Sequence, residues 1–299
     1  HQVVEQVARS RSNLLLNFNG SGGIWRSDCI RDSGGWQWDT LSEDIDISYR
    51  AQIKGWRMIF LPDLIVPAEI PHTMTIFKKQ QYRWTFGHIQ VFRKLIRTLW
   101  TVPGLTLAQR VGGTFHLSTN FIQLAALISF LLTIPLALLH PKQPPSLGLI
   151  SMASSGPTIM FAVSQIFGYK DGFKHCCERL PHLPILVMLA IGMTISNGGA
   201  VLGVFMGRKM IWSVTPKSNM AVKNNIGQYN RVPLTVWLEI AVSFYCAIGL
   251  SLALRHAPEL IPLAALGMLS YGFVGCSSLV DSQQPPKKAS SASVEMVQQ

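Results

Sequence analysis

Acidic side chains and cysteines are both scarce in this sequence. Its 299 residues include 15 Asp and Glu against 26 Lys and Arg, which gives a formal net charge of +11. The five cysteines form no Cys-x-x-Cys pair, which argues against a disulfide framework or a cysteine-ligated metal site. An initiator methionine and a cleavable leader are also missing from the opening stretch, "HQVVEQVARSRSN". We therefore expect the sequence to be N-terminally truncated.

Charged and apolar residues are unevenly distributed along the chain. Residues 1–113 hold 14 of the 26 basic and 9 of the 15 acidic residues, which predicts a soluble unit. Five later stretches approach the roughly 20 apolar residues that a membrane span needs: 114–139, 147–168, 183–206, 234–254 and 259–280. The third is interrupted by "SNGG" and suits an interfacial or re-entrant segment, which leaves about four transmembrane helices within 114–281.

The basic residues predict the orientation of these spans in the lipid bilayer. With four crossings, the loops 169–182 and 207–232 and the tail lie on the same side as residues 1–113, and they carry most of the remaining basic side chains. The opposite side keeps only Lys142 and Arg255, so the soluble unit is expected to be cytoplasmic, at the plasma (inner) membrane. The basic excess then indicates membrane faces and anionic phosphate ligands, and no nucleic acid.

Residues 75–113 are predicted to form amphipathic interface helices, and residues 282–299 a disordered tail. The stretch "TIFKKQQYRWTFGHIQVFRKLIRTLW" places apolar residues three and four apart, with basic residues between them. This pattern is typical of a helix lying along lipid headgroups.

The stretch "DTLSEDIDISYRAQIKGWRMIFLPD" predicts a helix followed by a buried strand, "WRMIFLP". Ser42 is a plausible N-cap, and Gly55 can end the helix. Asp44 lies in the first turn, where the helix dipole would keep its carboxylate ionised and usable as a general base. Acidic residues at a helix start are also favourable without any function, so this stretch alone leaves both interpretations open.

Two further stretches have the chemistry of a binding site. On a helix, Gln80, Arg83 and Trp84 share one face and offer an amide, a guanidinium fork for phosphate oxygens, and an indole. Asn19, Gly20 and Ser21 form a glycine-rich turn in which backbone can approach a ligand closely. Alone, each also fits a basic interfacial helix and an ordinary turn.

The order and spacing of these motifs resemble the membrane-bound, processive family-2 glycosyltransferases, which include cellulose, mannan and glucomannan synthases. Asp44 matches that family's Thr-Glu-Asp motif, with Ser42 in place of Thr, and Gln-x-x-Arg-Trp follows 36 residues later. "WSVTPK" at 212–217, in a stretch without acids, is similar to the family's Phe-x-Val-Thr-x-Lys gating loop, with Trp212 in place of Phe. The resemblance covers about residues 13–255.

The resemblance implies a role for each matching residue. The implied catalytic base is Asp44. The residues implied to bind the donor's diphosphate and nucleotide are Gln80, Arg83, Trp212, Thr215 and Lys217. The residues implied to bind the acceptor are Trp84, Asn19, Gly20, Ser21 and Glu43. It also implies an α/β fold: residues 1–74 would be the C-terminal part of a GT-A domain. A divalent metal, Mg²⁺ or Mn²⁺, would be held by an Asp-x-Asp motif in a missing N-terminal part, so we assign no metal ligand here and expect the fragment to be inactive.

The expected reaction is inverting transfer of a hexose from a UDP- or GDP-sugar to a growing β-linked polysaccharide, with the polymer translocated across the membrane. A β-1,4-glucan or mannan type is the first choice. Two alternatives stay open: a non-processive enzyme that adds one sugar to a lipid carrier, and a transporter or scaffold. The second would place ionisable residues along a pathway inside the spans, where Glu239 is the only acid well inside one and lies near its end.

Overall fold

The computed structural model of the protein describes residues 5–20, 22–62, 64, 66, 71, 73–139, 156–168, 171–210 and 232–283. The α-helices in these ranges are, in chain order, α1 Val7–Arg11, α2 Ser27–Asp32, α3 Glu43–Ile53, α4 Met74–Thr101, α5 Leu107–Ser118, α6 Ile122–Leu131, α7 Thr133–Leu139, α8 Gly156–Gly168, α9 Gly172–Arg179, α10 Leu183–Gly192, α11 Thr194–Phe205, α12 Leu234–His256 and α13 Ile261–Gln283.

No residue in the described ranges forms a β-strand, so the α/β part of the fold prediction is not confirmed. The buried strand predicted at 56–62 is wrong: this segment has no regular structure, and Ile59 and Leu61 are 79% and 60% exposed. An apolar run becomes a buried strand only when neighbouring strands take up its backbone N–H and C=O groups. The other non-helical apolar segment, near Leu16 and Phe18, bonds to side chains of α3 instead.

Helix α4 is the central element, because it belongs to two separate hydrophobic clusters. Toward its C-terminal end it packs with α3, α5 and the segment near Leu15. This cluster consists of Leu15, Tyr49, Val91, Leu95, Leu99 and Leu117. Near its middle, Phe86 and Ile89 pack on α11 at Ala200, Val201 and Val204. The helix predicted at the membrane interface therefore joins the N-terminal segments that carry Leu15 and Tyr49 to the apolar helix α11.

A buried ion pair fixes the start of α4 to the last two helices. Lys78 Nζ lies 2.7 Å from Glu239 Oε2 on α12 and 3.4 Å from Ser278 Oγ on α13. The Lys78 and Glu239 side chains are 7% and 0% exposed. The N–H of Thr75 donates to Asp281 Oδ2 of α13 at 3.2 Å. Glu239, the acid well inside a predicted span, thus has a structural partner.

A second polar contact ties α3 to α5. The Tyr49 hydroxyl and His116 Nδ1 are 2.7 Å apart, and Arg9 donates to the same hydroxyl at 3.2 Å. Burial raises the pKa of Tyr49 to about 12, so the hydroxyl stays protonated while it is hydrogen-bonded to His116. The remaining nitrogen of that ring, Nε2, lies 3.4 Å from Glu5 Oε1.

Three helical segments in the described ranges are long and apolar enough to cross a membrane: Leu107–Leu131, Leu234–His256 and Pro258–Ser282. The first begins before the predicted start at 114, because Thr106 and Gln109 form a capping box that starts α5 there. The predicted boundary after residue 113 therefore falls inside a helix. The predicted span 147–168 is described only over α8.

The third apolar stretch is bent, but not at the predicted "SNGG" interruption: residues 196–199 lie inside helix α11, and the break falls before it, between Gly192 and Thr194. The helical pair Gly172–Gly192 and Thr194–Phe205 passes the length and hydropathy test together and bends by 41° at its break. Such a bend fits either a broken span or a re-entrant segment. The described ranges therefore hold three candidate spans, or four if this pair is one.

Removing one member of the buried ion pair is expected to destabilise the fold strongly. In Glu239→Leu, the Lys78 ammonium loses its counter-charge in a site of low dielectric, so the free energy of unfolding should fall by about 3–5 kcal/mol. Thermal or SDS-induced unfolding in detergent micelles measures this difference.

The exposed ion pair of Arg31 and Asp28 supplies the matched control. Its side chains are 74% and 63% exposed, so Arg31→Met should cost less than about 1 kcal/mol. Adding Lys78→Met to Glu239→Leu should recover most of the lost stability, because no unpaired charge remains. A Glu239→Leu protein no less stable than Arg31→Met would contradict the buried pair.

Candidate active site

The helix that carries Asp44 begins and ends where the sequence predicts. Ser42 is the N-cap of α3, and Gly55 follows its end with φ +92°, a left-handed conformation that favours glycine. One detail of the prediction is wrong: the Ser42 side chain makes no capping hydrogen bond. It is buried instead against helix α4.

The Asp44 carboxylate is held by two backbone N–H donors. Gly20 N–H donates to Oδ2 at 2.9 Å, and Ile45 N–H donates to Oδ1 at 2.8 Å. Gly20 has φ +67°, so the turn that aims this amide depends on glycine. The structure thus brings the predicted acceptor turn and the predicted base into direct contact.

Burial raises the pKa of Asp44 above its usual value, which is the opposite of the effect expected from the helix dipole alone. The two N–H donors lower the pKa, and the neighbouring Glu43 carboxylate raises it. A carboxylate with a raised pKa is a stronger base, yet it remains ionised at neutral pH if the shift is modest. The environment of Asp44 is compatible with proton abstraction.

Helix α4 approaches the residues before Asp44 through a glycine. A Cβ added to Gly87 would lie 2.7 Å from Ser42 N and 2.9 Å from the Leu41 carbonyl carbon, so any larger residue would force the two apart. The side chain of Gln90, nearly one turn further on, accepts a hydrogen bond from Leu41 N at 2.9 Å. These contacts clamp residues 41–42 to α4.

The Gln-x-x-Arg-Trp motif lies on α4 one turn before that clamp. Gln80, Arg83 and Trp84 belong to one uninterrupted helix, so they share a face as predicted. Trp84 is 51% exposed. Its indole is available for contact with a ligand, while Gln80 and Arg83 are partly buried.

The rest of the predicted acceptor turn is held by hydrogen bonds between polar side chains. The Asn17 amide donates to Asn19 Oδ1 at 2.6 Å and accepts a hydrogen bond at Oδ1 from Gln6 Nε2, also at 2.6 Å. Asn19 and Gly20 are exposed, so the Asp44 site opens to solvent at this edge. Ser21 lies outside the described residues.

The predicted gating residues Trp212, Thr215 and Lys217 also lie outside the described residues. The two ends of their segment are described, and both reach one cavity of about 330 Å³. Met210 and Pro233 line this cavity together with Lys79 and Tyr82 of α4. The segment thus leaves and rejoins the described structure next to the helix that carries Gln80 and Arg83.

The acidic residues of α3 do not form a metal site. The Asp46 carboxylate is fully buried and lies 2.8 Å from Arg50 Nε and 2.9 Å from Lys94 Nζ, so its charge is already compensated. Lys94 also contacts Asp39 at 2.8 Å. Elsewhere in the described ranges no group of three or more His, Cys, Asp or Glu could hold a metal ion. The described residues therefore offer no site for the divalent metal, which the resemblance assigns to a motif outside this sequence.

Sequence reasoning overlooked several residues that build this site. Gly87 and Gln90 position the segment before Asp44, and Lys94 holds Asp46. A signal was present, since Gly87 lies four residues after Arg83 and hence near the motif's face. Glycine in the middle of a helix usually costs stability and calls for a packing reason.

Comparison with known proteins identifies the family. The sequence profile described as "Glycosyl transferase family group 2" matches residues 4–193, more than half of the chain. The chain belongs to glycosyl transferase family group 2. Its residues 4–193 include the Asn19–Gly20 turn, α3 and the Gln-x-x-Arg-Trp helix.

Individual relatives of this glycosyl transferase family group 2 chain carry a common description. It is 30% identical over 285 residues to "Probable glucomannan 4-beta-mannosyltransferase 2" of Oryza sativa subsp. japonica, covering 92% of the chain and 44% of that protein. It is 42% identical over 96 residues to "Glucomannan 4-beta-mannosyltransferase 2" of Arabidopsis thaliana, covering 32% of the chain and 18% of that protein. The chain thus spans less than half the length of these relatives.

Adding one methyl group at Gly87 is expected to separate α4 from the Asp44 segment. Gly87→Ala places its Cβ against the backbone at Leu41 and Ser42, which cannot rotate away as a flexible side chain would. The free energy of unfolding should fall by about 1–3 kcal/mol, as is typical of overpacking. Thermal unfolding in detergent micelles measures it.

Gly199 on α11 is the matched control, since a Cβ added there meets no atom within 4 Å. Gly199→Ala should leave stability unchanged or raise it by up to about 1 kcal/mol, because alanine favours the helix. Equal stabilities of the Gly87→Ala and Gly199→Ala proteins would show that α4 and residues 41–42 are not in close contact.

Proposed function

We propose that the full-length protein containing this chain is an inverting hexosyltransferase. It transfers a hexose from a nucleoside-diphosphate sugar to a growing β-1,4-linked polysaccharide. The observation that carries this proposal is the direct hydrogen bond from Gly20 N–H to Asp44 Oδ2, with α4 clamped to residues 41–42 two positions before that carboxylate. A base, a turn open to solvent, and an Arg-Trp helix thus meet in a chain of glycosyl transferase family group 2.

The reaction is a single displacement at the anomeric carbon of the donor. Asp44 takes the proton from an acceptor hydroxyl as its oxygen attacks that carbon from the face opposite the leaving group. The bond from the anomeric carbon to the phosphate oxygen breaks, the nucleoside diphosphate leaves with the electron pair, and the configuration inverts. General-base assistance of this kind contributes about 10²–10⁴-fold.

Side chains of α4 and of the basic segment serve the two substrates. Gln80 and the Arg83 guanidinium hold the donor's diphosphate through charge-assisted hydrogen bonds, and Thr215 and Lys217 close over it. Trp212 covers the nucleotide base. The exposed indole of Trp84 stacks on the terminal acceptor sugar, and Asn19, Gly20, Ser21 and Glu43 line its pocket. The two ends of the basic segment, at Met210 and Pro233, line one cavity with Lys79 and Tyr82, so both ends lie beside the helix that carries Gln80 and Arg83.

The descriptions of the relatives favour mannose as the transferred sugar. Several are described as glucomannan 4-beta-mannosyltransferases, from both Oryza sativa and Arabidopsis thaliana. We therefore propose a GDP- or UDP-hexose donor, with a mannosyl donor first, and a β-1,4-linked mannan or glucomannan acceptor. The divalent metal remains an expectation from the family resemblance, and no step above uses it.

The protein is proposed to work in the plasma membrane with residues 1–113 on the cytoplasmic side, where nucleotide sugars are available. Four crossings would give this orientation, because they keep the basic loops 169–182 and 207–232 on the same side as residues 1–113. Three candidate spans lie in the described ranges, and the predicted span 147–168 would be the fourth crossing. The spans would then carry the growing polymer away from the site.

Replacing the base by its amide is expected to abolish polymer synthesis. Asp44→Asn keeps the size of the side chain and can still accept the Gly20 hydrogen bond, but it cannot take a proton. Membranes containing the full-length protein, supplied with GDP-mannose or UDP-glucose and Mg²⁺ or Mn²⁺, should lose at least about 10²-fold in turnover while nucleotide binding persists. In the unchanged protein, turnover should fall as the pH drops through the raised pKa of Asp44.

Asp28→Asn is the control, because this exposed carboxylate pairs with Arg31 on α2, away from Asp44 in the sequence. It should leave turnover unchanged. Linkage analysis of the product separates the two transferase functions: a β-1,4-linked polymer supports the proposal, and a short glycolipid without polymer contradicts it. Turnover retained by Asp44→Asn would remove Asp44 as the base.

Cysteine labelling tests the orientation of the basic segment. In intact cells, a membrane-impermeant maleimide should not label Met220→Cys until the membrane is permeabilised, whereas Lys142→Cys on the opposite side should react directly. The protein without added cysteines gives the background from exposed Cys177 and Cys276. Labelling at position 220 from outside intact cells would reverse the proposed topology.

A further inference from the structure

A polar stripe on α3 supplies hydrogen-bond partners to every second backbone group of the segment before the acceptor turn. Leu16 N–H donates to Gln52 Oε1 at 2.8 Å, and Gln52 Nε2 returns a bond to Leu16 O at 2.7 Å. Phe18 N–H donates to Ser48 Oγ at 2.8 Å. Gly20 N–H donates to Asp44 Oδ2 at 2.9 Å.

The repeat follows from the geometry of a helix beside an antiparallel chain. Asp44, Ser48 and Gln52 are four residues apart on α3, which corresponds to a rise of about 6 Å per step. Two residues of extended chain cover about 6.6 Å, so residues 16, 18 and 20 keep step with the helix. The candidate base is therefore the last rung of a three-rung ladder.

The first two rungs are shielded from water. Ser48 is fully buried, and Gln52 is 8% exposed. The Ser48 hydroxyl also donates to the carbonyl oxygen of Asp44 at 2.5 Å, so one atom links the backbone of Phe18 to the backbone of Asp44. Water does not readily reach these two rungs. Loss of either side chain would therefore leave a buried backbone N–H without a partner, which is costly. The third rung is open to solvent.

We propose that Ser48 and Gln52 are positioning residues for the reaction, which set the register of residues 16–20 on α3 and thereby aim the Gly20 amide at the Asp44 carboxylate. This inference rests on the proposed function, in which Asp44 is the base. Neither side chain touches the substrate. They act by fixing the acceptor turn and the base relative to each other.

The ladder affects both the geometry and the proton affinity of Asp44. A donor to the ionised carboxylate stabilises the charged form, so losing the Gly20 bond makes Asp44 bind its proton at higher pH. Glu43 is the charged side chain on α3 that acts on Asp44. Residues 17–20 carry no titratable side chain, and α4 carries Arg83 and His88 on either side of Gly87. None of these charges changes when Ser48 or Gln52 is replaced.

The pH profile of Ser48→Ala tests this proposal in the full-length protein. The substitution frees Phe18 N–H, so the turn and the carboxylate lose their register. We expect kcat to fall about tenfold, the KM for the sugar nucleotide to stay the same, and the acidic limb of the kcat profile to move to higher pH. An unchanged kcat together with an unchanged acidic limb would overturn the proposal.

Ile47→Val controls for a general loss of stability. Ile47 is fully buried on the same helix, and deleting one methyl group there should cost about as much stability as losing one hydrogen bond. It does not contribute to the ladder, so its acidic limb should match that of the unchanged protein. If the acidic limb moved equally in Ile47→Val and Ser48→Ala, the role of Ser48 would be purely structural.

Hydrogen exchange provides a readout that does not depend on turnover. The amides of Leu16 and Phe18 should exchange slowly in the unchanged protein, and Gln52→Met should speed the first by about tenfold. Fast exchange of both amides without any substitution would overturn the ladder. Asp44→Asn, assayed in parallel, separates the two hypotheses: if it is inactive while Ser48→Ala is normal, only the positioning role fails.

Discussion

Helix α4 packs against both the N-terminal segments and the apolar helices along its 28 residues, and most of the structure depends on these contacts. One cluster of apolar side chains joins it to Leu15 and Tyr49, and another joins it to α11. Its first turns are attached to α12 and α13 by ionic and polar contacts. A rigid helix shared in this way fixes the position of its exposed side chains relative to both parts. Gln80, Arg83 and Trp84 lie between the ion pair at Lys78 and the apolar clusters that begin at Phe86.

The environment of Asp44 is built mainly from backbone. Its two donors are main-chain amides, and the segment behind it is held through Leu41, Ser42 and Gly87. Backbone amides cannot change rotamer, so they hold a carboxylate in one orientation at little entropic cost. They also lower the pKa of Asp44 and so oppose the burial that raises it.

Much of this could be predicted from the sequence, and the failures have physical causes. The bounds of α3 and the shared face of the Arg-Trp motif depend on local signals, a cap, a glycine and helical spacing, and they are confirmed. The strand predicted at 56–62 would have required neighbouring strands, whose presence a sequence pattern does not reveal. The pairing of Lys78 with Glu239 joins residues 161 apart, and the ladder on α3 looks in the sequence like any polar helix face.

The link between Lys78 and Glu239 has a consequence for the order in which the protein is made. Ribosomes deliver the lysine 161 residues before its partner, so α4 carries an uncompensated ammonium until α12 has been synthesised. Seating that charge among apolar helices beforehand would be unfavourable. The Arg-Trp helix can therefore reach its final place only late in biogenesis, after the C-terminal spans have joined the bundle.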